Sequence, residues 1–256
     1  MPESKPIPAE STASPLISVV VPVLNEQDNV APLIAEIRAA LGSACAYEIV
    51  YVDDGSTDAT LATLQATRAT APELRILQHG EKRGQSEALR SGILAARGRL
   101  IVTLDGDRQN DPADIPKLIE AHEKLERLGK SPIMITGHRV NRRDTIAKRR
   151  ASRAANWLRS RALRDDNPDT GCSLKLFERD LYLRMPYFSH MHRFLPALAQ
   201  REGASVEVVP VNHRAREQGV SKYSNLGRLK VGVIDLFGVM WLMRRAPKGG
   251  QAREVE

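Results

Sequence analysis

Aromatic residues are scarce in this chain of 256 residues, at 4% of the total. Single-strand nucleic-acid binders need aromatic platforms for the bases, so the scarcity argues against that class. Cysteine is nearly absent too. Cys45 and Cys172 have neither CxxC spacing nor an accompanying histidine cluster. Zinc sites and redox motifs are therefore not expected, and a reduced cytosolic compartment fits. No apolar run reaches the ~18 residues a bilayer-spanning helix needs. The opening stretch, MPESKPIPAESTASP, lacks the basic start and apolar run of a signal peptide, and 1–15 reads as a disordered leader.

What remains is an ordinary globular composition, 42% apolar and 27% charged, enough for one sizeable α/β domain. Charge is uneven. The net charge is +7, yet residues 138–164 hold ten Lys/Arg against Asp144 alone, so that segment is +9 and the rest sums to about −2. A local basic patch attracts phosphate on a nucleotide, a lipid headgroup or a nucleic acid. The same run reads equally as a solvated helix face.

Apolar runs alternate with helical spacing. Leu16–Val23, Glu48–Val52, Leu74–Gln78, Leu100–Leu104, Pro132–Thr136, Cys172–Phe177 and Ser205–Val211 read as seven strands. Helices are expected over 26–41, from an Asp58 cap to about 70, over 84–97, from Asp111-Pro112 onward, over 144–163 on the basic run, and in short pieces to about 202. This alternation implies an α/β fold with a mostly parallel central sheet and helices on both faces. Ligands of such sheets bind at the carboxyl ends of the strands. Those ends carry Asn25-Glu26, Asp53-Asp54 and Asp105-Gly106-Asp107.

Asp105 and Asp107, two residues apart around a glycine, can face one hard cation, and Gln109 can add a carbonyl oxygen. Mg2+ or Mn2+ takes such oxygen ligands and bridges them to phosphates, assisting a diphosphate leaving group. A solvated acidic turn is the other reading of the same five residues. Asp53 and Asp54 can accept from ribose hydroxyls or a base, while Asp58 caps the next helix.

Taken in order, VVVPVLNE, EIVYVDDGSTDAT, EKRGQSEALRSGI and TLDGDRQNDPADIP resemble the GT-A-fold family 2 glycosyltransferases, over about residues 16–224. Gly137-His138-Arg139, the basic helix ending near Asn156, Asp169-Thr170-Gly171-Cys172-Ser173, and Arg216 through Gly219 to Ser221-Lys222-Tyr223 resemble the dolichyl- and polyprenyl-phosphate sugar transferase branch. The resemblance implies that Pro22, Asn25, Glu26, Asp53, Asp54, Lys82 and Asp105 bind a nucleotide-sugar. It implies that Asp105, Asp107 and Gln109 hold Mg2+ or Mn2+. It places Arg139, Arg149, Ser152, Arg216 and Lys222 on the acceptor phosphate, with Asp105, Asp107 and Arg216 as the catalytic group. Gly106 and Arg108 depart from the family pattern, where Ala and Leu are common.

The implied reaction is inverting transfer of a sugar from a UDP- or GDP-linked donor to a polyprenyl phosphate. A lipid monophosphate is already anionic and needs no general base; a hydroxyl acceptor would. Transfer to a saccharide or protein hydroxyl, a basic nucleic-acid-binding protein and a silent nucleotide-sugar sensor are the competing readings. From Val231 to Met243 the sequence is apolar apart from two glycines and Asp235, then Arg244 and Arg245 follow. Such a segment suits an amphipathic helix over 225–245 on a membrane surface. It suits equally a helix packed on the domain or a dimer contact, so a homo-oligomer stays open. Residues 246–256 read as a flexible tail. The expectation is a peripheral protein on the cytoplasmic membrane face, with an integral membrane partner supplying the spanning helices into which many relatives continue, and no nucleic-acid partner.

Overall fold

The computed structural model describes residues 16–42, 45–140, 159–163, 165, 167–214 and 225–246, with side chains from 232 onward in the last stretch. The 1–15 leader, all but the end of the basic helix and nearly all of the 246–256 tail lie outside the described residues.

Seven strands form one sheet: β1 Ile17–Val23, β2 Tyr47–Asp53, β3 Leu74–Gln78, β4 Leu100–Thr103, β5 Ile133–Arg139, β6 Lys175–Glu178 and β7 Ser205–Val211. Their spatial order is β3-β2-β1-β4-β6-β5-β7. All neighbours run parallel except at β6, which is antiparallel to both β4 and β5. The sequence expectation of seven strands in a mostly parallel sheet holds. The sixth starts three residues later than expected, because residues 170–173 form a turn and its exit.

Helices cover both faces because the strands alternate two buried rows. Val19, Val21, Ile49 and Tyr51 face one core with Val30, Leu33, Ile34 and Ile37 of α1 (Gln27–Leu41), Leu64 of α2 (Thr60–Arg68), and Ile115 and Leu118 of α4 (Ile115–Arg127). Val20, Val50 and Val52 face the other. There they meet Ala88, Leu89 and Ile93 of α3 (Gln85–Ala95), Leu181 of α5 (Arg179–Arg184), Leu198 of α6 (Leu195–Arg201) and Val239 of α7 (Asn225–Arg244). α3 approaches the sheet closely because Gly92 has no side chain; a Cβ there would lie 2.4 Å from Val20 Cγ1.

The C-terminal helix packs on the domain along one side. Val239 is buried on the domain and Leu236, Met240, Leu242 and Met243 pack beside it, with Arg201 Nε donating to the Leu242 carbonyl at 3.1 Å. Yet Ile234, Phe237 and Trp241 are exposed. From 232 to 243 the helix is therefore apolar on both its docked and its exposed side, because nearly every residue there is apolar. Among the described residues no helix is long and apolar enough to cross a membrane.

Candidate active site

The parallel strands deliver the ends of β1, β2, β4 and β5 to one sheet edge. The reversal at β6 delivers its beginning to the same edge. Thr103 lies opposite Lys175 across the β4–β6 pair. Asp105 therefore meets residues 170–175, which sequence spacing alone does not reveal.

The loops after β1 and β2 are tied together. Asn25, in the left-handed region at φ 53°, donates its N–H to Ser56 Oγ at 2.8 Å, and its Oδ1 accepts from Thr57 N at 2.7 Å. Glu26 N–H donates to Thr60 Oγ1 at 2.9 Å, and Glu26 Oε2 accepts from Asn29 Nδ2 at 2.7 Å. Asp58 Oδ1 accepts from Thr60 N at 2.9 Å, but Asp58 stands one residue before the cap position, which Ala59 takes instead of the expected Asp58. Pro22 sits at the end of β1, half-buried.

Asp53 and Asp54, expected on the nucleotide, are both buried and hydrogen-bonded within the loops at this edge. Asp53 is fully buried; its Oδ1 accepts from Ser56 N at 3.0 Å and shapes the turn. Asp54 is 4% exposed. Its Oδ1 accepts from Arg83 N and lies against His79 Nδ1, and its Oδ2 accepts from Gly84 N, all at 2.8 Å. Asp54 thus meets three nearby donors from the 79–84 loop, which draw it inward. That loop is seated on Gly55, where a Cβ would lie 2.8 Å from Lys82 N. Lys82 itself is exposed beside this turn.

The same loop reaches the acidic pair. One residue past Gly84, Gln85 Nε2 donates to Asp105 Oδ1 at 2.7 Å. Asp54 and Asp105 thus belong to one connected edge, joined through residues 83–85. Burial and then the adjacent negative charge of Asp107 push the Asp105 carboxyl up to about 6, against relief from Ser173, Lys175 and Arg139. Asp107 Oδ1 accepts from Gln109 N at 3.2 Å. The Gln109 side-chain amide makes no hydrogen bond among the described residues. Gly106 is required here, since a Cβ would lie 2.4 Å from Val23 Cγ1.

Asp105 opens on a cavity of about 200 Å3, lined also by Gln85, Thr170, Ser173, Lys175, His192 and Arg193. Lys175 is buried, and its ammonium donates to the carbonyls of Cys172 and, at 3.4 Å, Thr170. Burial pulls its pKa down. Burial and the charge of Arg193 push His192 down to about 3, so it is neutral, with Nδ1 2.7 Å from Ser86 Oγ. Arg139 is gripped by Asp169 through two 2.7 Å bonds, Nε to Oδ2 and Nη2 to Oδ1. Burial opposes the charge on Arg139, and the hydrogen-bonded Asp169 carboxylate more than offsets it, raising the guanidinium pKa. Gly171 lies over that pair; its Cβ would be 3.1 Å from Arg139 Nη2.

The donor set suits a hard divalent ion. Burial and then the charge of Asp107 raise the proton affinity of Asp105, and a bound cation would favour its ionised form. Among the described residues no group of three or more His, Cys, Asp or Glu forms a metal cage. Mg2+ normally uses one or two carboxylates and leaves the remaining positions to water and substrate phosphates.

Pro22, Asn25, Glu26, Lys82, Asp105, Asp107, Gln109 and Arg139 thus all lie at the sheet edge where the parallel strands end. Arg149, Ser152, Arg216 and Lys222 lie outside the described residues. Sequence reasoning missed Gln85, Lys175, His79 and His192. A lysine inside an otherwise apolar strand, LKLF, was the one signal available for Lys175.

The model described as Glycosyl transferase family 2 matches residues 18–185. The dodecaprenyl-phosphate galacturonate synthase of Rhizobium johnstonii is 39% identical over 241 residues, covering 91% of this chain and 69% of its own. The undecaprenyl-phosphate 4-deoxy-4-formamido-L-arabinose transferase of Edwardsiella ictaluri is 36% identical over 228 residues, covering 88% and 66%. The chain spans about two thirds of the length of these curated relatives. Among solved structures, the glucosyl-3-phosphoglycerate synthase from Mycobacterium tuberculosis in complex with Mn2+, UDP and glucosyl-3-phosphoglycerate superposes with a TM-score of 0.61 at 20% identity, covering 92% of this chain and 82% of that one. That similarity establishes a shared fold.

Proposed function

The chain belongs to glycosyl transferase family 2, and on that premise we propose that it transfers a sugar from a nucleoside-diphosphate donor to a polyprenyl phosphate, with inversion and with help from Mg2+ or Mn2+. Two relatives whose names specify polyprenyl-phosphate sugar transfer support the acceptor. The Mn2+ and UDP held by the structural neighbour support the metal and the donor class.

Asp105 and Asp107, with Gln109, would hold the cation, which when bound neutralises the departing diphosphate. The chain's own residues do the rest. Gln85 fixes the Asp105 carboxylate from the α3 side. Asn25, Glu26 and Lys82 line the donor side, with Asp54 pinning the loop that carries Gln85. The cavity beside Asp105 would seat the sugar and exclude water. Arg139, oriented by Asp169, lies on the acceptor side. Arg149, Ser152, Arg216 and Lys222 complete the proposed phosphate contacts.

One observation favours a phosphate over a hydroxyl acceptor. Among the described residues lining the cavity, Asp105 is the sole carboxylate, and the nearby Asp169 commits both oxygens to Arg139. Among the described residues lining the cavity no second carboxylate stands ready as a general base, and an anionic phosphate oxygen needs none. Catalysis then rests on positioning and electrostatics.

The exposed Ile234, Phe237 and Trp241, followed by Arg244 and Arg245, would rest on an anionic membrane surface where such a lipid resides. The protein would then act peripherally on the cytoplasmic face, with an integral membrane partner or a second copy beside it. Transfer assays test the function. With Mn2+ and a panel of labelled nucleotide-sugars, label should pass to the organic phase with a short polyprenyl phosphate. Transfer only to soluble saccharides would overturn the acceptor.

A further inference from the structure

Arg108 stands between Asp107 and Gln109, where the family commonly has leucine, and the reaction gives it no task. Its backbone is left-handed at φ 58°, a region that side-chain-bearing residues avoid. Its guanidinium reaches helix α1, where Nη2 and Nε donate to Glu36 Oε1 at 2.7 and 3.2 Å. The other Glu36 oxygen accepts from Arg214 Nη1 at 2.6 Å. Arg214 also donates from Nη2 to Asp111 Oδ1 at 2.7 Å, and its backbone N–H donates to the Gln109 carbonyl at 2.9 Å. Asn110 pairs with His213 in an isolated antiparallel bridge.

Residues 108–111 are therefore held from two sides, by α1 and by the chain leaving β7, and Glu36 is the carboxylate common to both. We propose that Glu36 is a positioning residue which, through Arg108 and Arg214, clamps the 105–109 loop in the shape that presents Asp107 and Gln109 to a divalent cation. The inference rests on the metal-assisted reading of this site. It explains how an arginine is accommodated in a disfavoured backbone conformation: the ion pair with Glu36 holds it there.

The clamp makes a prediction that charge alone does not. Removing the positive Arg108 near a cation site should strengthen cation binding if only electrostatics acted, and removing the negative Glu36 should weaken it. A clamp predicts weakening from both. Arg108→Gly suits the test because glycine adopts φ 58° freely.

Mn2+ uptake by the full chain with saturating UDP, followed by loss of the free-ion EPR signal, reads this directly. Glu36→Gln, Arg108→Gly and Arg214→Gln are each expected to raise the Mn2+ dissociation constant by about fivefold or more, as supporting partners of metal ligands do. Thermal melts without metal report folding separately. Tighter binding by Arg108→Gly, or affinities within twofold of wild type for folded Glu36→Gln and Arg108→Gly, overturns the clamp and leaves the metal reading standing. Absence of Mn2+ uptake by the wild type overturns both.

Discussion

Thr103 and Lys175 face each other across the antiparallel β4–β6 pair, and that register sets a buried ammonium beside Asp105. The ammonium holds the carbonyls of Thr170 and Cys172, so it fixes the turn that walls the cavity. Lys175→Met keeps most of the volume and removes the donor. It is expected to cost about 1–3 kcal/mol in urea denaturation, since buried carbonyls lose their partner. Unchanged stability would show that the turn does not depend on the ammonium.

Arg139 and Asp169 form the strongest ion pair at the site by geometry, two parallel bonds among half-buried and buried atoms. Asp169→Asn leaves the guanidinium without its anion and should cost about 3 kcal/mol. The folded fraction should still transfer sugar to polyprenyl phosphate, with kcat reduced by less than ~100-fold, because no proton has to be removed. A loss of ~10,000-fold without destabilisation would make Asp169 a base and the acceptor a hydroxyl.

Gly106 is where the acidic loop touches β1. Gly106→Ala places a methyl 2.4 Å from Val23 Cγ1, so either the loop or the strand must shift. The expected cost is about 1–3 kcal/mol by chemical denaturation. Val23→Ala in the same chain should recover most of the difference between Gly106→Ala and its parent. Additive losses in the double variant would contradict the contact.

The Asp105 carboxyl titrates at about 6 in the folded protein against an ordinary 3.8, raised by burial and by Asp107. The folded state thus binds this proton more tightly than the unfolded chain. Stability of the metal-free protein should fall as pH rises from about 4 to about 6, by on the order of 2 kcal/mol from this group. Asp105→Asn removes that contribution. Identical pH dependence in parent and variant, measured with EDTA present, would refute the elevated carboxyl.

Much of the fold was legible because its strands are buried on both sides. Runs such as Ile17–Val23 and Glu48–Val52 have no polar face to confuse them. The acidic strand ends were legible for the same reason: position follows from the strand. Direction was not. Four residues, Lys175–Glu178, carry no mark that they run opposite to their neighbours, so the approach of residues 170–175 to Asp105 stayed hidden. The anchoring of Asp54 was not legible because its partners Arg83 and Gly84 contribute backbone N–H groups, which no side-chain pattern announces. The division of the C-terminal helix between a docked and an exposed side was hidden by its near-uniform apolar composition.

On the proposed reading, Asp105 and Asp107 hold a divalent ion that grips the donor's diphosphate. Calorimetric titration of UDP into the protein, with Mn2+ and then with EDTA, tests it most directly. Mn2+ is expected to tighten UDP binding by tenfold or more, about 1.4 kcal/mol, and Asp107→Asn to abolish this gain while its metal-free binding of UDP stays close to that of the parent. UDP affinity that is indifferent to Mn2+, or a full Mn2+ effect in the folded variant, would contradict it.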